Sequence, residues 1–412
     1  MKVLYFHQHF TTPEIGGGTR SYEFAQKLIQ RGHQVTMVSG GERSAFNLPA
    51  TKKKNVYRGD VAGIDVIQIH VPYSNNDGKL ARAKAFLRYS VKSVYYALHE
   101  DYDLAFCTTT PLTSGIPGLF SKWFRKKKFV FEIRDFWPDS TKTLFAAVGK
   151  KYPWYLDWGL SFLGNLCYRT ADACIGLAPG ICEAIRAHCQ AEKRVDLIPN
   201  GCDLNLFSPS KRDKLALPGV NEGDTVAVFT GAHGVANGLG AVLDAASVLK
   251  RKGRDDIKLV FIGNGMMKQA LVERAEKEGL NNCLFFKPVP KKELTSIVCS
   301  ADIGMQILTN ATFFYYGTSP NKFFDFISSG LPVINNYPGW IADMINENKC
   351  GVVVEPLNPE VFADGLIYLA DHPEERRVMG ENARKLAERD FDRDRLSEKF
   401  VAFLEWVCNG QD

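Results

Sequence analysis

Short apolar runs alternate with amphipathic helical stretches along almost the whole chain, and the alternation starts twice. No other feature constrains the fold as strongly. Parallel strands need helical crossovers, and helices on both faces bury the sheet between them. In the first series Val3–His7 reads as a strand. Thr19–Arg31 reads as a helix with Phe24, Leu28 and Ile29 on one side, stopped by Gly32-His33. Val35–Val38, Leu104–Cys107 and Phe129–Ile133 read as later strands. The second series opens with strand Val226–Thr230 and helix Leu239–Lys250. It runs on through strand Leu259–Ile262, helix Lys268–Glu278, strand Cys283–Phe285 and helix Lys291–Cys299. Strand Ile303–Ile307, helix Asn321–Ser328 and strand Pro332–Ile334 follow. Between the series lie Pro199-Asn200-Gly201 and the polar, Pro- and Gly-containing stretch Pro209–Asp224, which reads as the linker. Arg393–Val407 reads as a final amphipathic helix. The expected architecture is α/β, with two doubly wound Rossmann-like domains facing a cleft. Ligands of such sheets sit beyond the carboxyl ends of the strands, so the site is expected in that cleft.

Length agrees with this division, since 412 residues exceed one ordinary core. Residues 1–200 carry 27 Lys+Arg against 17 Asp+Glu, and residues 201–412 carry 24 against 29. A basic front half and an acidic back half point to a polyanionic partner or surface met by the first domain. Ten dispersed cysteines without CxxC or Cys/His ligand spacing read as buried thiols of a reducing, cytoplasmic compartment. The N-terminus reads as a first strand, not a signal peptide, and no run of 18 apolar residues is present.

Several motifs carry chemistry, each with a plainer reading beside it. Gly16-Gly17-Gly18-Thr19-Arg20 opens the first helix after strand 1, where Gly17 and Gly18 let backbone N–H groups approach an anion. A flexible turn serves equally. Gly231-Ala232-His233-Gly234 ends the first strand of the second series and leads to Asn237-Gly238; His233 is either a cleft group or a structural one. Ile262-Gly263-Asn264-Gly265 permits close approach to a ligand or simply makes a tight turn. Glu132 and Arg134, just past a strand, alternate away from Ile133 and are expected to face the cleft; an ion pair with Asp135 is the bland alternative. The sharpest signal is Ser319-Pro320-Asn321-Lys322-Phe323-Phe324-Asp325. Ser319 suits a cap and Pro320 the first helical position. The helix N-terminus and Lys322 suit an anion, and Asp325 suits the vicinal hydroxyls of a ribose. An ordinary capped helix is the alternative.

Lys79–Glu100 is a basic amphipathic stretch, with Arg82, Lys84, Arg88 and Lys92 among Leu80, Phe86, Leu87, Tyr89, Val91, Val94 and Tyr95. It fits an anionic membrane interface, or a helix packed on the sheet with solvated charges. Lys52–Lys54 and Arg125–Lys128 add nearby charge. Nucleic acid suits the charge, but no helix-turn-helix, zinc-finger or RNP-like motif accompanies it.

These pieces, in this order, resemble the retaining glycosyltransferases of family 4, which have the two-domain GT-B architecture. They come nearest to a bacterial surface-polysaccharide subgroup that includes L-fucosamine transferases. The resemblance runs from Pro13-Glu14-x-Gly16-Gly17 through Glu132-x-Arg134-Asp135-x-Trp137-Pro138 and Ile198-Pro199-Asn200-Gly201-Cys202-Asp203. It continues through Gly234-x-Ala236-Asn237-Gly238-Leu239, Gly263-Asn264-Gly265 and Ser319–Asp325 to Ser329-Gly330-Leu331-Pro332-Val333-Ile334.

The resemblance implies an acceptor-side domain over 1–203, with the helix 393–412 packing back on it, and a nucleotide-sugar domain over 204–392. It implies a UDP-sugar donor, held by Gly17, Gly18, Gly234, Asn237, Gly263, Gly265, Lys287, Val289, Thr318, Ser319, Asn321 and Asp325. Glu132, Arg134, His233 and Lys322 are the implied catalytic set, with no cofactor and no essential metal. Asp325 matches the second acidic residue of the family's E-x7-E motif, whereas Gly317 stands at the first. Ala232 and Asn237 stand where many relatives carry Arg and Lys, which leaves phosphate charge to helix N-termini, Lys322, Arg20 or Arg134. The implied reaction transfers an N-acetylated or deoxy amino sugar to a polyprenyl-diphosphate-linked or soluble saccharide acceptor, in the cytoplasm or peripherally on the membrane's inner face. A UDP-sugar 2-epimerase and a catalytically weak nucleotide-sugar-binding subunit are the rivals.

Overall fold

The computed structural model describes residues 1–15, 18–41, 46–72, 79–147, 149, 151–213 and 217–410. Among them, the front of the chain forms an eight-stranded sheet: β1 (Lys2–His7), β2 (Gln34–Gly41), β3 (Val56–Val61), β4 (Ile64–His70), β5 (Leu104–Thr108), β6 (Lys128–Ile133), β7 (Ala173–Gly176) and β8 (Val195–Leu197). Their order is β3-β4-β2-β1-β5-β6-β7-β8. All neighbours are parallel except β3, which pairs antiparallel with β4. The two are joined by Ala62-Gly63, both at positive φ, the backbone of a tight hairpin. Every residue of β5 is buried, and so are five of the six in β6, as expected for strands covered on both faces.

The second sheet holds β9 (Thr225–Thr230), β10 (Ile257–Ile262), β11 (Cys283–Phe286), β12 (Ile303–Gln306), β13 (Val333–Asn335) and β14 (Gly351–Val353). It is parallel throughout, in the order β11-β10-β9-β12-β13-β14. The expected α/β architecture with two Rossmann-like domains is present. The sequence reading did not resolve β3, β4, β7, β8 or β14, whose short or mixed runs stand out only when paired.

Residues of β1 alternate between two layers. Val3 and Tyr5 pack with the helix Arg20–Gln30 and the C-terminal helix Arg393–Asn409. Leu4 and Phe6 belong to the core beneath helices Lys79–His99, Ile116–Arg125 and Trp154–Thr170. The C-terminal helix therefore returns to the first domain. Phe24 stacks on Phe400 with centroids 4.2 Å apart, and Lys27 and His33 pair with Asp394 and Glu405 at 2.9 and 2.8 Å. Two adjacent strings of chain join the domains. Cys202 N donates to Phe391 O (2.7 Å), and Arg393 N donates to Cys202 O (3.1 Å). The stretch from Pro209 differs from the linker expected of it. Arg212 pairs with Asp302 at 2.7 Å and Asp213 N bonds Ser300 Oγ at 3.1 Å, so this segment lies down on the second domain. All ten cysteines are free thiols.

Candidate functional site

A cleft of about 960 Å³ opens between the carboxyl edges of the two sheets. Its walls include Gly18 and Glu23 from the first domain and Asn200 from the crossing. Gly231, Val289, Lys291, Lys292, Asn321, Lys322 and Asp325 come from the second domain, and Arg393 from the returning helix.

The helix Asn321–Ser328 is held by its buried face, Phe323, Phe324, Phe326 and Ile327. Pro320 occupies the cap position with extended backbone, one residue earlier than its expected place inside the helix, and no side chain caps the end. Ser319 does not cap as expected. Its Oγ accepts from Asn200 N at 3.0 Å and its carbonyl from Asn200 Nδ2 at 2.7 Å, which ties the helix to the interdomain crossing. The uncapped N-terminus leaves backbone donors aimed into the cleft.

Lys322 Nζ donates to Asn237 Oδ1 at 2.7 Å and lies 4.1 Å from the centroid of the Phe229 ring. Burial pushes its pKa down to about 7. Asn237 thus orients the cation supplied by Lys322. Gly231 stands beside the lysine stem at φ +121°, a backbone conformation that L side chains rarely adopt. One turn on, Asp325 has no hydrogen-bond or ion-pair partner for its carboxylate among the described residues. Burial pushes its pKa up to about 6, against the pull of Arg393 and Lys291. A cation and an open carboxylate therefore share one helical turn in one cleft.

The other expected catalytic residues are placed differently. Glu132 is fully buried and does not face the cleft. Arg20 Nε and Nη2 reach its Oε1 at 3.0 and 2.8 Å, Arg134 Nε reaches Oε2 at 3.1 Å, and Thr108 Oγ1 donates to Oε2 at 2.5 Å. Burial alone would raise the carboxyl's pKa, but Arg20, Arg134 and Thr108 outweigh it and hold it below the ordinary value. Arg134 is largely committed to this cluster and to Ser21 Oγ at 2.7 Å, so its partner is Glu132 and not Asp135. Arg20, a sequence candidate for phosphate, lines the cleft but spends two further N–H groups on Ile198 O and Pro199 O at 2.7 and 2.5 Å. His233 is buried among Phe229, Phe261 and Phe285, and neither ring nitrogen has a partner among the described residues. Burial, with Lys268 and Lys322 adding, pushes it down to about 4. It is a neutral core imidazole beneath the cleft, because the loop after β9 dives under the loop after β10.

That crossing also accounts for two glycines. A Cβ on Gly263, at φ +153°, would lie 1.8 Å from Gly231 O, and one on Gly265 would lie 2.6 Å from His233 O. Backbone packs on backbone here, and only glycine permits that approach at these two positions. Gly263→Ala is expected to destabilise the protein by about 1–3 kcal/mol, measured by chemical denaturation, because the new methyl overpacks a strained turn.

Of the expected donor-binding residues, Gly18, Val289, Asn321 and Asp325 line the cleft. Gly234, Asn237, Lys287, Thr318 and Ser319 are not among its lining residues. Thr318 donates to Phe314 O at 3.0 Å and accepts from Trp340 Nε1 at 2.6 Å. Gly17 lies outside the described residues. Sequence reasoning missed Lys291 and Lys292, which begin a helix at the cleft, and Arg393, which pairs with Glu23 and Asp203 at 2.7 and 3.2 Å. A KK pair at a predicted helix start was a usable signal; Arg393 had none, since only the returning helix brings it there.

Two family models match consecutive segments: Glycosyltransferase Family 4 over residues 15–206 and Glycosyl transferases group 1 over residues 210–386. The D-inositol 3-phosphate glycosyltransferase of Paenarthrobacter aurescens is 28% identical over 200 residues, 47% of this chain and 48% of that protein. The chain therefore spans about half the length of this curated relative. Among solved structures, sucrose-phosphate synthase from Thermosynechococcus elongatus superposes with a TM-score of 0.76 at 15% identity, covering 98% of both chains. Anabaena Alr3699/HepE in complex with UDP-glucose superposes with a TM-score of 0.68 at 16% identity, covering 98% of this chain and 99% of that one. At such identities these likenesses speak to the fold.

Proposed function

We infer that this chain, which belongs to the family 4 and group 1 glycosyltransferases, transfers a sugar from a UDP-sugar to a saccharide acceptor with retention of anomeric configuration. The observation that carries the reading is that Lys322 and the unpartnered carboxylate of Asp325 stand on one turn of an uncapped helix at the cleft. The spacing suits a nucleoside diphosphate, with phosphate at the N–H groups and ammonium, and the ribose diol on the carboxylate. The UDP-glucose complex of the structural neighbour supports that donor class.

In this reading the donor's C1–O bond to the diphosphate breaks while the acceptor oxygen bonds C1 on the same face. The acceptor proton passes to the departing diphosphate oxygen, whose charge Lys322 and the helix end stabilise. Closure across the crossing at Asn200–Asp203 excludes water. The sugar is an N-acetylated or deoxy amino sugar. The acceptor is a polyprenyl-diphosphate-linked saccharide of bacterial surface-polysaccharide synthesis, met at an anionic membrane surface by the basic first domain. Among the described residues no helix is long and apolar enough to cross a membrane.

A panel of nucleotides and nucleotide-sugars tests the donor. UDP and its cognate sugar should raise the melting temperature, because a ligand bound only by the native state stabilises it. Sugar release that needs an acceptor supports transfer, and epimerisation without acceptor defeats it. The two titrations give a pH signature. Asp325 is charged above about 6 and Lys322 below about 7, so kcat/KM for the donor should peak between those values and fall on both sides. A flat profile from pH 5 to 9 would remove both groups from donor capture.

A further inference from the structure

We propose that the helix Trp154–Thr170 is an interfacial anchor that inserts its aromatic face into an anionic lipid bilayer beside the cleft. Trp154, Trp158 and Phe162 are 78%, 68% and 59% exposed, and their spacing of four places them on one side of the helix. The Trp158 and Phe162 rings stack with centroids 5.8 Å apart. Exposed large side chains in such a stripe are uncommon on a free surface and mark an interaction site. Trp at the boundary of water and lipid is favoured because its ring is apolar and its N–H is polar.

The neighbouring surface says what covers it. The helix Ile116–Arg125 lies between this helix and Lys79–His99, all on one face of the first sheet. Neither of those two helices contains an Asp or Glu. On Lys79–His99, Lys84 and Arg88 sit on an outer face that also exposes Leu87 and Val91, while Tyr89 and Tyr96 face the core. Among the described residues Lys84, Arg88 and Lys92 have no acidic partner. The one acidic residue of the aromatic helix, Asp157, is paired with Lys142 at 2.7 Å. Aromatic groups beside unpaired cations fit phosphate headgroups over acyl chains. A second copy fits worse, since a two-fold contact across this layer would bring the unpaired cations of both copies together.

The placement also suits the reaction. Strands β4 and β7 run parallel to β1; helix Lys79–His99 follows β4 and so starts from the carboxyl edge where the cleft opens, and helix Trp154–Thr170 leads into the amino end of β7 and so starts from that same edge. Leu80 and Trp154 therefore lie towards the cleft mouth. This inference rests on the lipid-linked acceptor proposed above.

The test uses the full chain and phosphatidylcholine vesicles with and without phosphatidylglycerol. Wild-type protein should co-sediment with the anionic vesicles, and brominated phospholipid should quench its tryptophan fluorescence. The Trp154→Ser/Trp158→Ser/Phe162→Ser variant should keep its melting temperature and bind at least about tenfold more weakly, still so at high salt. Trp154→Phe/Trp158→Phe should bind but lose most of the quenching. Equal vesicle binding by wild type and the triple variant overturns the anchor and leaves the membrane reading standing. Absence of binding by wild type defeats both. A dimer in solution that the triple variant abolishes assigns the patch to a second copy and overturns the proposal.

Discussion

Lys322→Met should reduce turnover about a thousandfold while making the protein more stable. The loss follows from the role proposed for the ammonium. A directed bond to Asn237 Oδ1 holds it at the uncapped end of its helix, and in this reading the charge it meets develops as the diphosphate leaves. A group that acts on developing charge should lower kcat more than it raises KM. The gain follows from burial. Lys322 is charged in the unfolded chain up to its ordinary value of 10.5, but only up to about 7 in the folded protein. Its folded-state pKa is depressed, so the folded state bears the full cost of the charge below about pH 7. That cost fades as pH rises towards 10.5. At pH 7 the gain in Lys322→Met is about 2–4 kcal/mol, reduced from the full shift by the lost bond to Asn237. Paired denaturation and single-turnover measurements check both halves. A variant that is less stable and as active would refute the assignment.

Glu132→Ala should be the most destabilising single change in the first domain, by about 3–5 kcal/mol. Two guanidinium groups, Arg20 and Arg134, would lose the carboxylate that compensates them in a buried site. Arg20 also holds the Ile198 and Pro199 carbonyls, so the start of the interdomain crossing should loosen and activity should fall with stability. Glu132→Gln retains the shape without the charge and should fall between wild type and Ala. The folded carboxyl sits below its ordinary value, so the wild-type advantage is complete above the usual carboxylate range. It is lost as pH falls through the lower folded value. Urea denaturation at pH 7 and pH 3 measures the difference; an Ala variant within about 1 kcal/mol of wild type at pH 7 means the cluster does not hold the domain together.

Much of the fold was legible in the sequence because its strands are continuous apolar runs separated by amphipathic helices. Lys268–Glu278 and Asn321–Ser328 have the bounds their periodicity predicts. The β3–β4 hairpin was not legible, since Val56–Val61 carries Arg58, Gly59 and Asp60 and becomes a strand only through its pairing with β4. The same division runs through the site. Helix Asn321–Ser328, with Lys322 and Asp325 one turn apart, could be read from spacing, because helical periodicity fixes which residues share a face. Whether a side chain meets the cleft or the core could not. Glu132 alternates away from Ile133 as read, yet it ends between Arg20, from another helix, and Arg134. His233 lies at a strand's carboxyl end as read, yet the loop over Gly263 seals it beneath the surface. Apolar periodicity alone was enough to specify the two α/β domains and the helix that carries the cation and the carboxylate. Which charges stay free for a ligand came only from the folded arrangement. Neutralising a buried charge takes partners distant in the chain, and their approach depends on packing that no local pattern records.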